Sequence, residues 1–154
     1  LAHDGKGAQD TALVEDYLHL LHAHRVDHTL AFRHLAEAVE APGGQAPELM
    51  ALVAPPGREA LLAWLQRWQH QLRLGEKPPP ALAATLRAAN PLYIPRNHTV
   101  EDALEAATER GDLAPFEQLL AVLKAPFDAL PGAQTYAVPA SADQQAGYRT
   151  FCGT

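Results

Sequence analysis

The stretch Arg58-Glu59-Ala60-Leu61-Leu62-Ala63-Trp64-Leu65-Gln66-Arg67-Trp68-Gln69-His70-Gln71-Leu72-Arg73-Leu74 decides the fold. Leu61, Leu65, Trp68 and Leu72 recur at steps of four, three and four, which lines them along one side of an α-helix, with Trp64 beside them. Gly75 is placed to cap the end of that helix, and Pro78-Pro79-Pro80 stops any continuation.

Upstream, the same period predicts a helix from about Asp10, with Leu13, Tyr17, Leu20 and His24 on one face. Asp27 is a suitable N-cap for a second helix carrying His28, Phe32, Leu35 and Val39, until Ala41-Pro42-Gly43-Gly44 breaks it. Glu48–Val53 reads as a short helix, closed by Pro55-Pro56-Gly57. Downstream, Leu82, Leu86 and Ala89 predict a helix that ends at Asn90-Pro91.

Pro91 and Pro95 then hold Asn90–Asn97 extended. Thr99, with Asp102 three residues later, resembles a capping pair for a helix with Val100, Ala103, Leu104 and Ala107 inward, ending near Gly111. Asp112 would cap a last helix with Phe116, Leu119, Leu120 and Leu123 inward. From Pro126 the periodicity stops, and the Pro-, Ala-, Gly- and Gln-rich end is expected to run extended over a surface. The fold class expected is therefore all-α: an irregular bundle of about six helices with an extended C-terminal tail. Residues 1–9 form a flexible lead-in, 10–125 a helical domain and 126–154 the tail.

Composition agrees. Alanine and leucine dominate and aromatics make up 6% of the chain, a balance that favours helices over sheets. At 154 residues the chain fits one domain, and no segment is apolar for long enough to span a membrane. The net charge of -6, with scattered arginines, argues against nucleic-acid binding, which needs a clustered positive face. A single cysteine rules out an intrachain disulfide and any Cys-rich zinc site, and fits a reducing cytoplasm. No signal peptide is visible, and the absence of an initiating Met suits a processed product or a piece of a longer protein.

Motifs for chemistry are few. His19, His22, His24 and His28 have spacings at which two imidazoles can share a helix side and hold a divalent metal, but surface or half-buried histidines account for them better. Glu101-Asp102 suits the dipole of a first helical turn. Gly5-Lys6-Gly7 lacks the remainder of a phosphate cradle, and no nucleophile elbow is present. Trp64 and Trp68 read as core or a domain interface. Pro91–Asn97 reads as a rigid connector, or as a docking element offering Arg96 to a carboxylate. Cys152, two residues from the carboxyl end of the sequence, is better placed to reach another surface than to pack a core, and Arg149 is a candidate to lower its pKa.

Five blocks then occur in an order that resembles one family. They are Asp27-His28-Thr29 running to Phe32-Arg33; Trp64-Leu65-Gln66-Arg67-Trp68; Asn90-Pro91-Leu92-Tyr93 with Arg96-Asn97; Ala103 through Gly111-Asp112, Leu119 and Pro126-Phe127; and Phe151-Cys152-Gly153-Thr154. Together they resemble the C-terminal region of the selenoprotein O (SelO/YdiU) family of pseudokinase protein adenylyltransferases. His28 stands where the family prefers an aromatic residue. The resemblance implies the C-terminal helical part of a kinase-like fold, from an enzyme that transfers AMP from ATP to protein hydroxyls with Mg.

In that family the nucleotide, metal and catalytic residues lie upstream, and no residue here matches them. No catalytic, cofactor-binding or metal residue is therefore assigned to this chain, and ATP and Mg are implied for the full-length enzyme alone. The resemblance assigns Cys152 a redox role, through a disulfide to a cysteine of the upstream catalytic region that links activity to redox state. Asp27, Arg33, Trp64, Trp68, Asn90, Pro91, Tyr93, Arg96 and Asn97 are expected to be structural or interface residues. The expected partners are the upstream kinase-like region and the protein substrates of the enzyme, in a bacterial cytoplasm, with no nucleic acid and no membrane. A stand-alone helical protein-interaction module is the alternative, and a histidine-based metal protein a third.

Overall fold

The computed structural model describes residues 8–41, 46–73, 78–141 and 144. Among these residues there are eight helices and no strand, so the chain is all-α. They are α1 (Ala8–Ala23), α2 (His28–Glu40), α3 (Pro47–Leu52), α4 (Pro55–Arg73), α5 (Pro79–Ala89), α6 (Asn97–Arg110), α7 (Ala114–Leu123) and α8 (Gln134–Ala137). The chain forms two compact units, Leu1–Pro91 and Leu92–Thr154.

In the first unit α2 packs against α3, α4 and α5, and α1 packs against α4. The Leu61, Trp64, Leu65 and Trp68 stripe of α4 is buried in one core with Tyr17, Leu21, Leu35, Leu49 and Leu86. Truncating a buried tryptophan in such a core costs roughly 3–5 kcal/mol, so α4 is the spine of this unit.

Helix ends follow from local chemistry. Asp27 accepts the Leu30 N–H through Oδ1 at 2.9 Å and caps α2. Just before it, the Arg25 N–H donates to the His22 carbonyl and the Val26 N–H to the Leu21 carbonyl, which closes α1. That closure puts Arg25 at φ 51, in the left-handed region where glycine is the usual occupant. Proline starts α3 and α5, and Pro91 drives Asn90 to φ -119, ψ 110, which ends α5.

In the second unit α6 packs on α7. Gly111, at φ 64, supplies the left-handed residue that ends α6. Thr99 is not the cap of α6. The helix starts two residues earlier, at Asn97, and Thr99 Oγ1 donates back to the Arg96 carbonyl at 2.8 Å. A hydroxyl already inside the first turn finds that carbonyl more readily than a free N–H. Asp112 Oδ1 accepts the Ala114 N–H at 3.0 Å and so holds the start of α7.

The inward face of α7 also differs from expectation. Leu119 and Val122 are buried, whereas Phe116 and Leu120, with Leu104 on α6, are exposed. Helix α7 meets α6 and the cluster around Tyr93 and Ala133, and its Phe116 and Leu120 side stays exposed.

Residues 126–141, expected as extended tail, run through turns and α8. They are held by Tyr93. The Leu92 and Tyr93 N–H groups both donate to the Pro126 carbonyl, and the Leu130 N–H donates to the Tyr93 hydroxyl at 3.1 Å. Tyr93, Val122 and Ala133 form the small core of this unit.

Candidate functional site

Several of the residues singled out in the sequence meet inside the fold. Arg33, on α2, donates from Nη1 to the carbonyl oxygens of Arg87 at 2.8 Å and Asn90 at 3.2 Å. These carbonyls belong to the end of α5, where backbone acceptors lack helical partners and a cation is favoured by the helix dipole. Asn90 adds its own side chain, donating from Nδ2 to the Leu86 carbonyl at 2.8 Å. Pro91 ends the helix that Arg33 caps, so Arg33, Asn90 and Pro91 act at one junction, while Asp27 caps the start of the helix that carries Arg33.

Trp64 and Trp68 stack at a centroid distance of 5.6 Å, and Tyr17 stacks on Trp64 at 4.1 Å. Phe32 meets Tyr17 edge-on at 5.2 Å. Both tryptophans are buried, and Trp64 Nε1 donates to the Leu13 carbonyl at 2.8 Å, so this ladder serves the chain's own core. The sequence period gives Tyr17 no more than a place on a helix face. Its hydroxyl donates to the Ala31 carbonyl at 2.9 Å, and burial holds its phenol well above the ordinary range. Among the residues of the connector, Tyr93 and Arg96 are buried and Asn97 is exposed at the first position of α6.

Surface chemistry is modest. An open cleft of about 500 Å3 lies between α1 and α4, lined by Ala12, Leu13, Gln66, Arg67, His70 and Gln71. Arg67 there pairs with Asp16 at 2.8 Å, and Gln71 Nε2 donates to Asp10 at 3.4 Å. Arg87 forms a two-pronged ion pair with Glu40 from outside the Arg33 junction, and its hydrogen bonds hold the Glu40 carboxyl below the usual range. His24 packs its ring on Gly57, and His28 is exposed at the start of α2. Among the described residues no three His, Cys, Asp or Glu side chains are grouped to hold a metal ion. No described helix is long and apolar enough to cross a membrane. Cys152 and Arg149, with residues 1–7 of the expected lead-in 1–9, lie outside the described residues, and residues 8–9 begin α1.

The described residues thus define an all-α chain in which Arg33, Asn90 and Pro91 meet at one helix junction and Trp64 and Trp68 lie in the core. Comparison with known proteins gives the family. The model for the family "Protein adenylyltransferase SelO" matches residues 3–124, and the chain belongs to that family. It is 48% identical over 154 residues to the "Protein nucleotidyltransferase YdiU" of Chromobacterium violaceum, covering 100% of this chain and 31% of the relative. It is 45% identical over 145 residues to a protein of the same description from Cereibacter sphaeroides, covering 94% of this chain and 27% of that one. A third, from Alkalilimnicola ehrlichii, is 40% identical over 154 residues, with 100% and 30% covered. The chain therefore spans less than a third of the length of these curated relatives.

Proposed function

We propose that this chain is the C-terminal helical portion of a SelO-type protein adenylyltransferase, an enzyme that moves AMP from ATP to Ser, Thr or Tyr hydroxyls of proteins. Nucleotide, Mg and catalytic groups then belong to an upstream kinase-like region, in a bacterial cytoplasm. The chain's own part is to brace that region and to deliver Cys152, whose disulfide with an upstream cysteine would tie activity to redox state. The observation that carries this reading is the Arg33 junction. Two family-like blocks, fifty-seven positions apart at Arg33 and Asn90, meet to fasten helices rather than to line a cleft.

The described residues do not fit Mg-ATP. They offer no grouped carboxylates for the metal and no glycine-rich cradle for phosphate, so no step of AMP transfer is assigned to them. The test is transfer of labelled AMP from ATP to protein, measured for the full-length polypeptide and for this chain. The polypeptide should label protein and the chain should not. Labelling by the chain, or none by either, would overturn the reading.

A further inference from the structure

We draw no further inference here: the strongest candidate, the exposed apolar patch of Leu113, Phe116 and Leu120 along α7, carries nothing because nothing in the structure shows what covers it.

Discussion

The guanidinium of Arg33 closes the end of α5 by reaching the Asn90 carbonyl at 3.2 Å, and the Arg87 carbonyl at 2.8 Å, from a neighbouring helix. A charged donor shared by two part-buried acceptors contributes more than a neutral hydrogen bond, of the order of 2 kcal/mol. Arg33→Ala should therefore lower stability by about 2 kcal/mol in denaturant titration, and Arg33→Lys should restore less than half, since an ammonium lacks the planar fork. A loss under about 0.5 kcal/mol for Arg33→Ala would mean that the junction is held by other contacts.

Gly57 is required by its neighbour. A Cβ at this position would lie 2.7 to 2.8 Å from three ring atoms of His24. Alanine ordinarily gains up to about 1 kcal/mol over glycine within a helix, but overlap with a ring costs about 1–3 kcal/mol. Gly57→Ala should therefore destabilise, and adding His24→Ala should recover much of the loss. A stabilised single variant in thermal unfolding would show that the ring moves aside freely.

Arg25 offers the opposite sign. It sits at φ 51 in the turn that closes α1, where a Cβ is a burden. Arg25→Gly should stabilise by about 0.5–1 kcal/mol, read as a higher midpoint in urea at unchanged slope. A lower midpoint would mean that the arginine side chain contributes more than its backbone conformation costs.

Tyr17 sets the alkaline limit. Its folded pKa lies above the ordinary value of 10.0 because burial opposes the phenolate. The native state then holds this proton where the unfolded chain releases it, so the contribution is complete below about pH 10 and falls as pH rises toward the folded value. Stability measured from pH 9 to 11 should decline, and Tyr17→Phe should flatten that decline while costing about 1 kcal/mol at neutral pH through loss of the bond to the Ala31 carbonyl. An equal decline in the variant would assign the alkaline limb to other groups.

How much of this was legible varies with the range of the interaction. The α4 stripe, the Asp27 cap and the stop at Asn90-Pro91 are local patterns, and the structure carries each of them. The partners of Arg33 and Tyr17 lie in other helices, and no local period encodes them. Thr99 misled because a Thr before an acidic residue looks alike at the cap and within the first turn. Phe116 and Leu120 misled for a different reason: periodicity marks apolar sides, yet cannot say which of two sides the neighbouring elements cover. The turns after Pro126 were invisible because their order comes from Tyr93, more than thirty positions upstream.

The most direct measurement is calorimetry of Mg-ATP against this chain beside the full-length polypeptide. The proposed function predicts no heat of binding for the chain and saturable binding for the polypeptide. Saturable binding by the chain alone would contradict it, since a nucleotide site would then lie within these 154 residues.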